Sequence, residues 1–225
     1  MKGIFITSTD TGVGKTFFAS GLLRTLKNKN LNVCGFKPFV SGSKEDAILL
    51  KKASKSNENL NLINPVFFKK PLAPYVASKI EKKDINLKRV FEAFEALKKK
   101  YELLIVEGIG GVLVPIKKNY FVLNLIKDLK LPVIVMVKPS LGTINQTLLT
   151  LKILRDNKIK ILGMVINGIR NLDMAERTNP DVLKKLGRCP ILAKIPHNKR
   201  LKNVERLSIY LKSQKELMRM LKCLI

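Results

Sequence analysis

A strand, a glycine-containing loop and a helix follow one another near the start of the chain, and this order constrains the fold most. Apolar residues 4–7 predict a strand, the loop after it ends in Gly14-Lys15-Thr16, and a helical pattern follows. The free N–H groups and the dipole at a helix N-terminus attract anions. The segment therefore predicts a phosphate-binding loop, in which Lys15 reaches the β- and γ-phosphates and the Thr16 hydroxyl ligates Mg²⁺. Thr9 stands where the standard motif has its first glycine.

Apolar runs and helical patterns alternate along the rest of the chain. We predict strands over residues 2–7, 32–37, 102–107, 132–137, 161–166 and 191–195, and helices over residues 16–29, 45–54, 87–100, 120–129, 143–156, 179–186 and 203–223. Residues 55–86, which contain three prolines, are expected to form an irregular excursion over the sheet edge. Continuous apolar strands are typical of a parallel sheet covered on both faces. We therefore expect an α/β fold, a single domain over residues 1–225 with a doubly wound, mainly parallel sheet and helices on both faces in three layers.

The charge of the chain is strongly basic, with 43 lysines and arginines against 17 acidic residues and a net charge of +26. The basic residues are scattered in pairs and triples rather than in blocks of five or more. Aromatic residues make up only 6% of the chain, which argues against a platform for stacking nucleic-acid bases. We interpret the charge as a solvated lysine surface that attracts small anions, and expect no nucleic-acid partner.

The sequence also argues against a membrane or secreted protein. No apolar run approaches the ~18 residues of a membrane helix, and the first residues lack the features of a signal peptide. The three cysteines are far apart and odd in number, which fits reduced thiols better than disulfides. We therefore expect a cytoplasmic protein without a membrane partner.

Charged residues follow two of the predicted strands at the point where each strand ends. Ligands of open α/β sheets bind at the carboxyl ends of the strands, so these residues are candidates for one shared site. Lys37 is interpreted as an anion-binding residue rather than a surface lysine, and Glu107 as an acid that holds Mg²⁺ or its water rather than a loop cap. Asp46 and Glu45 are alternatives for a further metal ligand, and both also suit the first turn of a helix.

Glycines and amides complete the predicted site. Gly108, Gly110 and Gly111 follow the strand that ends in Glu107, and residues without Cβ let a ligand approach the backbone closely. Asn167 follows a later strand, where the pattern is equally typical of a turn. The chain contains a single histidine, so catalysis by a histidine pair is not expected.

Taken together, these motifs resemble the dethiobiotin synthetase family. Residues 8–16 resemble that family's G-T-D-T-x-V-G-K-T loop, with serine in place of the first glycine. Residues 37–42 resemble K-P-x-x-S-G, residues 107–111 resemble E-G-x-G-G, and residues 141–145 resemble L-G-x-I-N. Residues 71–78 are similar to the substrate loop of the family. The resemblance runs in order over nearly the whole chain.

The resemblance implies an ATP-dependent ligase that acts on 7,8-diaminononanoate. One amine of this substrate takes up CO₂ as a carbamate, and the carbamate oxygen attacks the γ-phosphate of ATP. The resulting carbamic–phosphoric anhydride is closed to the cyclic urea of dethiobiotin by the second amine, with release of phosphate. Such chemistry needs positioning and charge neutralisation rather than covalent catalysis.

The resemblance also implies roles for particular residues. The expected catalytic residues are Thr11, Lys15 and Lys37. The expected nucleotide-binding residues are Gly12, Val13, Gly14, Lys15, Thr16, Phe17, Glu107, Gly108, Gly110 and Asn167, the last of which reads adenine. The expected substrate-binding residues are Ser41, Gly111, Leu141 and Asn145. The expected Mg²⁺ ligands are Thr16, Asp46 and Glu107. The family is homodimeric, and Asn145 is expected to hold the substrate carboxylate across the dimer interface.

Two other functions share this fold and are alternatives to the synthetase. A partitioning ATPase of the ParA/MinD type carries a signature lysine in its loop at the position that Asp10 occupies here. An amidoligase of cofactor synthesis needs a glutaminase domain, for which 225 residues leave no room. The ParA/MinD type therefore remains as the alternative to the synthetase.

Overall fold

The computed structural model describes residues 3–170 and 173–224. Its strands are β1 (Gly3–Ser8), β2 (Val33–Phe36), β3 (Phe39–Ser41), β4 (Val66–Phe68), β5 (Leu103–Gly111), β6 (Pro115–Lys117), β7 (Tyr120–Phe121), β8 (Val133–Val137), β9 (Ile161–Ile169) and β10 (Ile191–Pro196). Its α-helices are α1 (Lys15–Lys27), α2 (Glu45–Ser54), α3 (Leu60–Ile63), α4 (Pro74–Ile80), α5 (Leu87–Lys100), α6 (Val122–Leu129), α7 (Thr143–Asp156), α8 (Met174–Leu186), α9 (Val204–Lys212) and α10 (Lys215–Lys222).

The central sheet has six strands in the order β10-β9-β8-β1-β5-β2, and all neighbouring pairs are parallel. The first strand of the chain lies inside the sheet, between β5 and β8. The register pairs Ile6 with Glu107 and Ser8 with Gly111, so the loop after β1 starts beside the end of β5. This arrangement brings the loop, Glu107 and the segment after β2 to one edge of the sheet.

Helices cover both faces of the sheet, and the alternation of side chains along β1 shows how. Ile4 and Ile6 pack into a core with helices α1, α9 and α10, whereas Phe5 packs into a second core with α5, α6, α7 and α8. All three side chains are fully buried. The predicted α/β class, with a parallel sheet and helices on both faces, is therefore confirmed.

Several predicted elements have different bounds in the structure. Helices α2, α5 and α7 match the predictions at both ends, whereas the predicted helix 203–223 is two helices separated by residues 213–214. The two helices have different partners, because α9 packs on α1 and α10 packs on β10. Helix α8 starts at Met174 rather than residue 179, because the Asp173 side chain accepts a hydrogen bond from a backbone N–H of its first turn.

The segment between α2 and α5 is more regular than predicted. Residues 55–86 contain α3, β4 and α4, and β4 pairs in parallel with β3 in a small second sheet. Residues 120–121, predicted as helix, form β7 in a hairpin with β6. Residue 2 of the first predicted strand lies outside the described residues. Residues 3–170 and 173–224 include no helix that is long and apolar enough to cross a bilayer.

Candidate active site

The loop between β1 and α1 has the backbone shape that an anion site requires. Gly14 precedes α1 with φ of 94°, and a Cβ built there would lie 2.2 Å from Nδ2 of Asn167. Asn167, on β9, donates a hydrogen bond from this nitrogen to the Val13 carbonyl at 2.9 Å. Both the positive φ and the close contact therefore require glycine at position 14. The amide of Asn167 therefore braces the loop from β9, which is separated from β1 by β8.

A cleft of about 420 Å³ opens beside this loop, and we call it the main cleft. Most of the residues predicted for phosphate, metal and carbamate lie on its walls. Its lining residues are Thr11, Gly12, Gly14, Lys15, Thr16, Phe17, Lys37, Val40, Ser41, Asp46, Glu107, Ile109 and Gly110. Val40 and Ile109 were not predicted, because each occupies a variable position inside a motif.

Lys37 lines the main cleft between two carboxylates. Its Nζ donates a hydrogen bond to Oε1 of Glu107 and lies 3.0 Å from Oδ2 of Asp46. The Thr16 hydroxyl donates to the same Glu107 oxygen at 2.7 Å. Burial lowers the pKa of Lys37, but the carboxylates of Glu107 and Asp46 outweigh it, so the pKa is above its usual value. Lys37 is therefore an ammonium ion at neutral pH.

Glu107 retains one oxygen without a hydrogen-bond partner among the described residues. Oε2 is buried, although a buried carboxylate oxygen normally has a donor. Asp46 lines the same cleft with a side chain that is 45% exposed, whereas Glu45 is exposed and is not part of the lining. Within residues 3–170 and 173–224, no three acidic, histidine or cysteine side chains form a metal-binding cluster. The cleft thus offers a cation two carboxylates and one hydroxyl.

Lys15 lies on the loop side of the main cleft and is 7% exposed. Its Nζ donates a hydrogen bond to Oγ of Ser8 at 2.8 Å. Burial, and then repulsion by Lys37, lower the pKa of Lys15 to about 8. Lys15 and Lys37 therefore repel each other across the cleft. An anion bound there would reduce this repulsion.

Other predicted residues lie outside the main cleft. Val13 is buried behind the loop, and Gly108 packs against Phe5 while its carbonyl accepts a hydrogen bond from Lys37 at 3.3 Å. Leu141 and Asn145 are exposed at the start of α7. Gly111 lines a neighbouring surface cavity, which we call the apolar hollow. The hollow measures about 560 Å³ and is lined by Thr9, Asp10, Thr11, Gly111, Val112, Leu113, Val114, Pro115, Gln146, Leu149, Thr150 and Ile153.

Two buried polar residues support the site without having been predicted. Asn64 donates to the carbonyls of Lys37 and Val66, at 2.8 and 3.0 Å, and so holds the segment after β2. Ser8 holds the Lys15 ammonium and was seen in the sequence only as a departure from a motif. Neither residue has a recognisable sequence signal, because the contact of Asn64 with Lys37 joins residues 27 positions apart and the contact of Ser8 with Lys15 depends on the shape of the loop.

Comparison with known proteins places the chain in a family. A family model described as an AAA domain matches residues 2–205. An ATP-dependent dethiobiotin synthetase of Thermodesulfovibrio yellowstonii is 45% identical, and the match covers 87% of this chain and 88% of the relative. The synthetase of Endomicrobium trichonymphae is 44% identical, with 85% and 91% covered. The chain belongs to the ATP-dependent dethiobiotin synthetase family.

The fold itself is shared more widely. A solved structure of a putative plasmid partition protein from Borrelia burgdorferi bound to AMPPNP has a TM-score of 0.65 and 16% identity, and the match covers 100% of this chain and 99% of the other. A likeness at this identity shows the fold alone. It confirms the phosphate-loop α/β fold and gives the partitioning alternative no support as a function.

The lowered pKa of Lys15 predicts that ADP binding takes up protons. At pH 8.5, most Lys15 side chains of the free protein are neutral, and phosphate oxygens favour the ammonium form. ADP affinity should therefore fall as the pH rises through 8, and binding at pH 8.5 should take up more than half a proton per site. Calorimetry without Mg²⁺, in two buffers of different ionisation enthalpy, measures this uptake. The Lys15→Arg variant stays charged and should show none; equal uptake in both proteins would contradict the prediction.

The buried contact between Lys37 and Glu107 predicts that removing the lysine alone destabilises the protein more than removing both charges. Lys37→Met leaves the Glu107 carboxylate buried without its cation and should lower the free energy of unfolding by about 3 kcal/mol. Lys37→Met combined with Glu107→Gln removes that uncompensated charge and should recover at least half of the loss. Urea denaturation measures both variants.

A matched control uses the exposed pair of Lys152 and Asp156 on α7, whose charged atoms lie 3.0 Å apart. Lys152→Met should change the free energy of unfolding by less than about 0.5 kcal/mol. A double variant at positions 37 and 107 that is as unstable as the single variant would show that the charge of Glu107 is not the cause.

Proposed function

We propose that the main cleft carries out the ATP-dependent conversion of 7,8-diaminononanoate and CO₂ to dethiobiotin, ADP and phosphate. The chain belongs to the dethiobiotin synthetase family, so it is an ATP-dependent ligase of biotin synthesis. The observation that carries the proposal is the pair of ammonium groups, Lys15 and Lys37, on two walls of one cleft. Lys15 suits the phosphates of a nucleotide, and Lys37 suits the carbamate anion that attacks the γ-phosphate.

Lys15 and the loop bind the phosphate chain in this proposal. The first N–H groups of α1 and the loop residues around Gly12 and Gly14 face the β-phosphate, while Lys15 neutralises charge on the β- and γ-phosphates. Thr11 lines the same cleft and offers a hydroxyl to the γ-phosphate. Phe17 contacts the nucleotide from the first turn of α1.

Lys37 holds the carbamate against the γ-phosphate. Its pKa is above the usual value, so at neutral pH it stabilises anions and does not accept a proton from the substrate. Two ions of like charge, the carbamate and the γ-phosphate, must approach each other, and a fixed ammonium between them offsets the repulsion. Ser41 lines the cleft near this point and offers a hydroxyl to the carbamate.

Mg²⁺ fits the oxygen atoms at this end of the cleft. Thr16, Asp46 and Glu107 would hold it, and the unpartnered Oε2 of Glu107 is the atom that most needs a cation or its water. Asp46 is preferred to Glu45 because only Asp46 lines the cleft. When bound, Mg²⁺ supplies positive charge to the phosphate oxygens. With only two carboxylates from the protein, the coordination sphere of Mg²⁺ has room for phosphate oxygens and for the water molecules that Mg²⁺ normally retains.

Asn167 contacts the base of the nucleotide. Its Nδ2 is engaged with the Val13 carbonyl, so its Oδ1 can accept a hydrogen bond from the adenine amino group. Gly110, near the end of β5, lines the main cleft, and Gly108 lies outside it on the same strand.

The substrate site extends to a second copy of the chain. Leu113 and Leu149 line the apolar hollow and are 53% and 54% exposed, and Leu141, just before α7, is 87% exposed. A homodimer would bury these side chains. Asn145 and the first N–H groups of α7 suit the substrate carboxylate, and Gly111 suits its alkyl chain. We infer a cytoplasmic homodimer with small-molecule substrates and no nucleic-acid or membrane partner. The free cysteines Cys34, Cys189 and Cys223 fit a reducing compartment.

ADP release is the test of this function. Release should depend on diaminononanoate and bicarbonate together, and not on DNA or lipid. Lys15→Ala and Lys37→Ala should each lower turnover by about 100-fold or more, since each removes a charge used in phosphoryl transfer. Only Lys15→Ala should strongly weaken ADP binding. Hydrolysis that DNA or vesicles stimulate, without need of the diamine, would favour the partitioning ATPase.

The dimer proposal predicts that Asn145→Ala raises the KM for the diamine and leaves the KM for ATP nearly unchanged. The physical reason is that the amide contacts the carboxylate end of the substrate, far from the reacting phosphate. Asn157→Ala, at the other end of α7, is the matched control and should change neither KM. Light scattering should give a dimer at assay concentration, and a fully active monomer would contradict the shared site.

A further inference from the structure

Ser8 is a fully buried polar residue at the end of β1, directly before the loop. Its Oγ lies 2.8 Å from Nζ of Lys15, 2.5 Å from the Asp10 carbonyl and 3.2 Å from the Gly110 carbonyl. These three contacts connect the lysine, the loop backbone and the end of β5. None of them exists when residue 8 is glycine, which is the residue of the resembling loop motif.

The direction of the hydrogen bonds follows from the chemistry of the groups. Carbonyl oxygens only accept, so the single hydroxyl proton of Ser8 points to a carbonyl, with Asp10 at the shorter distance. The lone pairs of Oγ are then free to accept from Lys15. The result is a chain from ammonium to hydroxyl to loop carbonyl, in which each hydrogen bond polarises the next.

This hydrogen bond is compatible with phosphate binding. An ammonium group has three donors, and Ser8 accepts one of them. Lys15 lines the main cleft in the same conformation in which it contacts Ser8, whereas Ser8 is not part of the lining. Ser8 therefore does not compete with a phosphate for the cleft.

We propose that Ser8 is a positioning residue, which fixes the ammonium of Lys15 at the cleft before a nucleotide binds. A free lysine side chain loses rotamer freedom when it contacts a ligand, and a preset contact removes much of that loss. The inference rests on the proposed phosphate role of Lys15. It adds that this chain has a serine side chain at position 8, where the loop motif of the family has glycine.

Calorimetry with ADP and with AMP tests the proposal, and it does not depend on the diamine reaction. Ser8→Ala should weaken ADP binding about tenfold, as expected for loss of a hydrogen bond to a charged group. AMP lacks the β-phosphate that Lys15 contacts, so its affinity should change less than about twofold. Ser8→Gly, which restores the motif residue, should behave like Ser8→Ala and serves if the alanine variant does not fold.

Thr7→Val is the matched control. Thr7 is the preceding residue of β1, is fully buried and has a hydroxyl without a hydrogen-bond partner among the described residues. Removal of the Thr7 hydroxyl should leave the affinities for ADP and AMP unchanged. ADP binding that stays the same or tightens in the Ser8 variants would overturn the proposal. Equal weakening of ADP and AMP would overturn it as well, because Ser8 would then shape the loop as a whole rather than act through Lys15.

Discussion

The contact between the Lys37 ammonium and the Glu107 carboxylate is the interaction on which the site depends. Both groups are almost completely buried, and moving either charge out of water alone is very unfavourable. Each is tolerated because the other is present, with Asp46 and Thr16 adding further contacts. The contact joins the segment after β2 to the end of β5, so two walls of the main cleft are held by one pair of charges.

The cleft places two ammonium groups where their charges oppose each other. Lys15 and Lys37 each disfavour the charged form of the other, and only Lys37 has carboxylates close enough to compensate fully. Because the carboxylates compensate the two lysines unequally, the pKa values of Lys15 and Lys37 shift in opposite directions. Lys37, whose pKa is raised by Glu107 and Asp46, is charged at neutral pH, whereas the pKa of Lys15 is lowered to about 8 and bound phosphates would favour its charged form. An anion bound in the cleft would reduce the repulsion between the two ammonium groups.

The sheet order explains why short motifs far apart in the chain form one site. β1 lies between β5 and β8, and β5 lies between β1 and β2. The carboxyl ends of β1, β5 and β2 therefore meet at one edge, where the loop, Glu107 and Lys37 are neighbours. The apolar hollow lies next to the same edge, between the turn after β5 and the outer face of α7. In the proposed homodimer, this adjacency would let a second subunit contribute to the substrate site.

The sequence alone determined the phosphate loop, the alternation of strands and helices, and the candidates Lys15, Thr16, Lys37 and Glu107. These features are local: a motif, an apolar period or a charge at a strand end is visible within a few residues, and the geometry of parallel sheets supplies the rest. Helices α2, α5 and α7 were predicted at both ends. The local signals are clearest for α5, in which the Asn86 side chain accepts a hydrogen bond from the first turn and one face is buried.

Only the tertiary structure decided the contacts between distant residues. The break between α9 and α10 follows from packing on different partners, and neither residue 213 nor 214 is a proline or glycine. The preference for Asp46 over Glu45 depends on which side of α2 faces the cleft. The role of Ser8 depends on Lys15, Asp10 and Gly110 meeting around one hydroxyl. Hydrogen bonds and ion pairs act over a few ångströms in space, and the separation of two residues along the chain does not indicate whether they form such a contact.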